Sequence, residues 1–242
     1  HLIQIIPTTN RIAVKKLIQM TDYIDVIIPR GGKNLVKLIQ DTAKVPVFAH
    51  LEGIVHTYIH EDADPKMVKN LILNSKLRRP GICGALECLL INKKFFHKHG
   101  FNLVNMLLDN GIEIRGDKKV SELDGVKLAN DNDWGREFLD KILSVKVTKN
   151  LKKAIKHINR YNSNHTDSII TKNQNIAKQF FSEIDSAILM HNVSTQFADG
   201  GEFGMGAEIG IGTGKLHARG PIGAKELTSF KFIVEGNGIL RK

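Results

Sequence analysis

Only two cysteines, Cys83 and Cys88, occur in 242 residues. A bridge between them would close a tiny loop, so a disulfide scaffold is excluded and nothing points to an oxidising compartment. Aromatic residues make up 6% of the chain, which supplies a single-strand stacking platform poorly. Long apolar runs are missing too: none approaches the roughly 20 residues of a membrane span. The opening HLIQIIPTTNRIAVKK has a short apolar patch but neither a basic leader nor a small-residue cleavage site. No membrane segment and a cytoplasmic setting are therefore expected. The first residue is His1 rather than Met, as in a processed chain or a piece of something longer. Internal repeats and low-complexity linkers are also absent.

What is present fits a globular protein: 42% apolar and 25% charged residues, enough for one large domain or two ordinary ones. Lys and Arg outnumber Asp and Glu by 35 to 25, an excess that suits nucleic acid or anionic substrates. The densest cluster, LKKAIKHINR (151–160), sets isoleucines at helical spacing opposite its lysines. It reads as one solvated helix face, and no nucleic-acid partner is expected.

Strand-like and helix-like segments alternate along the chain. LIQIIP (2–7), IDVIIP (24–29) and VPVFAHL (45–51) read as strands, separated by helical TTNRIAVKKLIQM and NLVKLIQDTA. This βαβαβ rhythm implies a parallel sheet with helical crossovers. Asp64 is placed to cap a helix and Pro65 to open it, with Met67, Val68, Leu71 and Ile72 on one face. Pro80 stops that helix, leaving Cys83 on a turn before strand CLLIN (88–92). Further on, FFHKHGFNLVNMLLDNG and NIAKQFFSEI read as helices, and ILSVKV, SAILMHN and the terminal LTSFKFIVEGN as strands, with HTDSIIT lying between helices and not assigned to a strand. Glycine-rich 200–223 lacks the strand-then-long-helix context of a dinucleotide fingerprint; it reads as a tight, irregular segment.

A lone cysteine is commonly a small buried hydrophobe, and Cys88, in an apolar run, reads that way. Cys83 differs in its address. Arg78 and Arg79 are near in sequence, and positive charge lowers a thiol's pKa toward the nucleophilic thiolate. The following turn would also offer backbone N–H groups to an oxyanion.

In order along the chain come IIPRGGK, HLEGIVHTYIHEDAD, NSKLRRPGICGALE, DWGREFLD, NVSTQFADG and KLHARGPIG. Together they closely resemble the gamma-glutamyl phosphate reductase family, also called glutamate-5-semialdehyde dehydrogenase, within the aldehyde dehydrogenase superfamily. The resemblance implies an α/β, aldehyde-dehydrogenase-like fold with an incomplete parallel-sheet cofactor domain and an α/β catalytic domain. The expected divisions are residues 1–56 for the back of the cofactor domain, 57–212 for the catalytic domain and 213–242 for an assembly tail. It further implies reduction of glutamyl 5-phosphate to glutamate 5-semialdehyde with NADPH (NADP as the oxidised form), in proline biosynthesis, through a cysteine thioester.

By the same resemblance Cys83 is the nucleophile. Arg30, Gly31 and Gly32 form a turn bordering the cofactor, Glu137 contacts the nicotinamide ribose, and His217 and Arg219 lie at the substrate pocket. No metal is implied. Where aldehyde-oxidising relatives carry a glutamate that activates water, this chain has His50, which suits a reductase. Implied partners are the small-molecule substrate, a second copy of the chain or a complementing N-terminal half, and a functional link to glutamate 5-kinase.

The chain departs from the family at several points. Gly84 and Cys88 stand where Asn and Thr are usual, Gln196 where Arg is usual, and Gly212 and Gly214 alter the stretch before KLHARGP. The family's front portion, with its first sheet strands and an oxyanion asparagine, has no counterpart here. A truncated reductase, half of a split enzyme, an inactive remnant and a non-catalytic assembly module all remain open at the level of sequence.

Overall fold

Helix α1 (Arg11–Leu17) begins where Asn10 accepts a hydrogen bond from the Ile12 amide, and α2 (Lys33–Thr42) follows Gly32. The computed structural model describes residues 2–49 and 52–241. On either side of α2 two extended segments meet in parallel through one bridge, Ile27 to Val47. Ile27 donates to the Pro46 carbonyl at 2.9 Å and accepts from Phe48 at 3.0 Å. The expected strand–helix–strand unit is present, pared down to a minimal pairing.

The main body is a seven-stranded, wholly parallel sheet. Its strands are β1 (Val55–Ile59), β2 (Leu86–Asn92), β3 (Glu113–Gly116), β4 (Lys127–Leu128), β5 (Ile142–Thr148), β6 (Thr166–Ile170) and β7 (Ile188–His191), in spatial order β4-β3-β5-β2-β1-β6-β7. Crossovers run through α3 (Pro65–Leu77), α4 (Lys93–Asp109), α5 (Leu151–Tyr161) and α6 (Gln174–Glu183). Asp64 caps α3 through the Met67 amide at 2.9 Å, with Pro65 at its first position.

Both faces of the sheet are covered, which is why β1 and β2 are buried along their whole length. Alternating side chains go to opposite faces. Leu89 and Ile91 pack with Val68 and Ile72 of α3 and Leu103, Val104 and Leu107 of α4. Cys88 and Leu90 pack with Leu151, Ala154, Ile155 and Ile158 of α5 and Phe180 of α6. Cys88 is therefore a core residue, as expected, and the lysines of LKKAIKHINR face outward from α5.

Two expected strands do not form. LIQIIP and LTSFKFIVEGN are extended or irregular, since a strand needs a continuous ladder of hydrogen bonds to a neighbouring edge and no such ladder is built on either. In the glycine-rich region a short antiparallel pair, β8 (Gly210–Gly212) and β9 (Gly220–Ile222), packs Ile211 beside Ile188 and Met190 of β7. Gly220, at φ +87°, supplies a backbone conformation that side chains resist. No described helix is long and apolar enough to cross a membrane.

Candidate active site

Three segments that enter neighbouring strands meet at the N-terminal edge of the sheet. Cys83 lies half-buried in the turn before β2, where Ala85 donates to the Ile82 carbonyl at 2.9 Å. Gly53 precedes β1, the parallel neighbour of β2 on one side. Glu137 lies in the segment leading into β5, its neighbour on the other. The Gly53 amide donates to a Glu137 carboxylate oxygen at 2.7 Å. A Cβ on Gly53 would sit 2.3 Å from the Cys83 carbonyl oxygen and 2.8 Å from its Cα.

Only glycine fits there, since the obstructing atoms are backbone. Gly53→Ala is expected to push the Cys83 turn away and destabilise the fold by about 1–3 kcal/mol, the usual cost of overpacking. Urea unfolding would measure it, and an unchanged midpoint would contradict the close approach.

The electrostatics of Cys83 differ from what the sequence implies. Burial pushes its thiol up, Glu137 and Glu208 push in the same direction, and the pKa reaches about 11. Its own backbone N–H and Arg30 pull weakly the other way. The cation acting on the thiol is thus Arg30, fifty-odd positions away in sequence, rather than Arg78 or Arg79. Arg78 instead caps the C-terminus of α3, its amide bonded to Asn74 at 3.2 Å. A helix C-terminus presents carbonyls, the wrong pole for stabilising a thiolate.

Glu208 carries no local sequence signal. Its carboxylate accepts from the Gly200 amide at 2.9 Å. Burial raises its pKa, and burial likewise raises that of Glu137. Two carboxyl groups of elevated proton affinity therefore act on the thiol.

A second feature supports the same turn from behind. Lys76 of α3 and Glu87 of β2 form a fully buried ion pair at 2.7 Å. The other Glu87 oxygen accepts from the Leu139 amide at 3.1 Å. Leu139 has φ +54°, a conformation unfavourable for its side chain. Glu87 thus fastens the segment carrying Glu137 to the strand that follows Cys83. Gln196 donates from Nε2 to the carbonyls of Ser75 (2.9 Å) and Arg79 (3.4 Å), bracing the end of α3. Gly84 is buried against the Thr195 carbonyl, where a Cβ would approach to 3.1 Å.

The other sequence candidates divide. Arg30 and Gly31 border a cavity of about 170 Å³ with Val36, Phe48 and Gly210–Gly212. Gly31 has φ +148°, and Gly32 caps α2 with open space around it. His217 and Arg219 face a different cleft, of about 620 Å³, whose lining includes Phe203 and Met205 but not Cys83. Arg219 donates to the Asp185 carboxylate at 2.6 Å and to its carbonyl, while His217 lies 2.9 Å from the Glu226 carbonyl and edge-on to Phe48. His50 lies outside the described residues.

Comparison with known proteins gives a consistent picture. No protein-family model matches the chain. The chain is 53% identical over 241 residues to the gamma-glutamyl phosphate reductase of Parvibaculum lavamentivorans, covering 99% of this chain and 57% of the relative. The Bartonella tribocorum protein of that name is also 53% identical over 241 residues, with 59% of it covered. The chain thus spans well under two thirds of the curated relatives it matches. The crystal structure of gamma-glutamyl phosphate reductase from Thermotoga maritima superposes with a TM-score of 0.92 at 44% identity, over 98% of this chain and 57% of that one. An acetylating aldehyde dehydrogenase from Geobacillus thermoglucosidasius, at 19% identity and a TM-score of 0.72, shares the fold. The architecture is aldehyde-dehydrogenase-like.

Proposed function

We propose that this chain performs gamma-glutamyl phosphate reductase chemistry, converting L-glutamyl 5-phosphate to L-glutamate 5-semialdehyde and phosphate in proline biosynthesis, with Cys83 as nucleophile and NADPH as reductant. The observation that carries the reading is the position of Cys83, on a turn wedged against Gly53 and flanked by Glu137, within a chain 53% identical to reductases of that name.

The residues on hand suit a nicotinamide cofactor. The Arg30–Gly32 turn opens into the free amides at the start of α2, with no side chain on Gly31 or Gly32 to obstruct a phosphate group. Glu137 is half-buried with one oxygen fixed by Gly53, which suits a hydroxyl-rich ribose. When bound, such a cofactor supplies the hydride.

The chain's own part concerns acyl transfer and protons. Cys83 Sγ bonds to the acyl carbon, the carbon–oxygen bond to phosphate breaks, and the thiol proton leaves with the phosphate. A thioester remains. Splitting the reaction at this covalent stage replaces one difficult step by two easier ones. With a thiol pKa of about 11, Cys83 needs help in losing its proton at neutral pH, and Glu137 or Glu208, the carboxylates that act on it, would take that proton and pass it to the departing phosphate. After reduction the sulfur departs from the thiohemiacetal carbon and regains a proton as the aldehyde forms.

A second copy or a complementing chain is part of this proposal. Phe230, Phe232, Ile233 and Val234 are 75–93% exposed, an apolar strip that an assembly partner would cover. The test is phosphate-dependent reduction of NADP by glutamate 5-semialdehyde, run on the chain alone and with the remainder of a relative's chain added. NADPH formation in either mixture is the expected result. None in both, with the chain folded, would sink the reading.

A further inference from the structure

On the sheet face covered by α5 and α6, three ligating side chains converge that the proposed reaction does not use. His56 of β1, Cys88 of β2 and His157 of α5 place a ring nitrogen or sulfur within 4.8 Å of one another. All three are at least nine-tenths buried. Cys88 Sγ lies 3.7 Å from His157 Nε2. A sulfur and a nitrogen bound to one tetrahedral zinc at about 2.3 and 2.0 Å stand roughly 3.5 Å apart, so little adjustment is needed.

Two independent features point to a ligand between them. His56 Nε2 is fully buried with no partner at full hydrogen-bond distance, only the Cys88 thiol acting on it, although such atoms are costly to leave unmatched. Its other nitrogen, Nδ1, is 3.0 Å from the Asp167 carboxylate, which also accepts from the His56 amide at 3.2 Å and from the Ser186 hydroxyl. A carboxylate behind an imidazole is the usual second layer of a metal site, fixing the proton on Nδ1 and turning the Nε2 lone pair toward the ion.

We propose that His56, Cys88 and His157 form a buried site for a borderline-soft divalent cation of the zinc class, bound by two imidazoles and a thiolate. One thiolate and two imidazoles do not suit calcium or magnesium, which seek oxygen ligands. Cys88 must give up its thiol proton to bind as a thiolate, so metal binding at this point releases a proton.

One neighbour competes. Lys146 Nζ lies 3.4 Å from His157 Nδ1 and 4.9 Å from the Trp134 ring centroid. For Nε2 to bind a metal, Nδ1 must carry the proton, so the ammonium must give up His157 and stay on Trp134. The site joins β1, β2 and α5, and its occupation would tighten the strands that lead out of Gly53 and Cys83. The inference stands apart from the proposed reaction.

The experiment is a Co2+ titration of the 242-residue chain carrying Cys83→Ala, which removes the other thiol. One equivalent bound with near-ultraviolet thiolate-to-cobalt absorption, displaced by Zn2+ and accompanied by a higher Tm, is expected. Adding Cys88→Ser should abolish the band and the Tm shift, His157→Gln should weaken binding at least tenfold, and Lys146→Met should strengthen it. Should the serine variant not fold, Cys88→Thr serves in its place. Absence of the band in the folded Cys83→Ala chain overturns the proposal, and so does its persistence after Cys88 is replaced.

Discussion

Cys83→Ala is expected to lower the reductase rate by about 10⁴-fold or more, to background, while leaving the unfolding midpoint within about 1 kcal/mol of the parent. Removing a nucleophile costs the whole covalent route rather than a share of it. The side chain is only half-buried, so little packing is lost. The thiol itself offers a check that does not need turnover. With its pKa pushed to about 11 from an ordinary 9.0, the thiolate fraction near pH 8 falls about a hundredfold. Alkylation of Cys83 by iodoacetamide should be slow in proportion, and should accelerate steeply with pH up to about 11. Glu137→Gln removes a negative charge that helps raise the thiol, so it should speed alkylation at pH 8 while lowering turnover. Fast alkylation of the parent would contradict the site as described, and so would a Glu137→Gln variant that alkylates more slowly.

Lys76→Met should have the largest effect on stability, about 3–5 kcal/mol, because it strands Glu87 in the core without a counter-charge. The pair is fully buried at 2.7 Å, and burial already holds Glu87 at about 7 against the pull of Lys76. Without that pull the folded-state pKa rises further above the ordinary carboxylate value of 4.5. The sign follows from proton linkage. The folded chain then binds the proton more tightly than the unfolded chain, so stability is greatest below about pH 4.5 and falls as pH rises through 7 and beyond. Urea midpoints of Lys76→Met at pH 5 and pH 8 should therefore diverge more than those of the parent. A double variant, Lys76→Met with Glu87→Gln, should recover part of the loss and flatten the pH dependence. Turnover should fall in the single variant as well, since Glu87 holds the Leu139 amide and, through it, the segment carrying Glu137. Equal loss of stability at both pH values would show that Glu87 is not the stranded charge.

Cys83 could be recognised from its neighbours in the chain: the helix that Asp64 opens, the proline that follows that helix, and the apolar strand beyond. Its chemistry could not. Arg78 and Arg79 are adjacent in sequence, yet the charges acting on the thiol come from Arg30, Glu137 and Glu208. Likewise LIQIIP and LTSFKFIVEGN have strand composition, but composition does not supply a partner edge, and neither segment forms a strand. β1, lying within the HLEGIVHTYIHEDAD motif, was recognisable as part of a family pattern without being legible as the strand that pairs with both β2 and β6.

Capping, helical periodicity and the position of turns depend on contacts within one or two turns of chain, and those the sequence by itself determined: Asp64 with Met67, the outward lysines of α5, the turn that holds Cys83. Convergence of side chains depends on which strands lie side by side, and a parallel sheet joins segments far apart. Gly53 meets Glu137, and His56 and Cys88 meet His157, because β1, β2 and β5 are consecutive in space, with α5 packed across them. That order follows from the burial of whole strand and helix faces together, a property of the assembled core that no local stretch of residues carries.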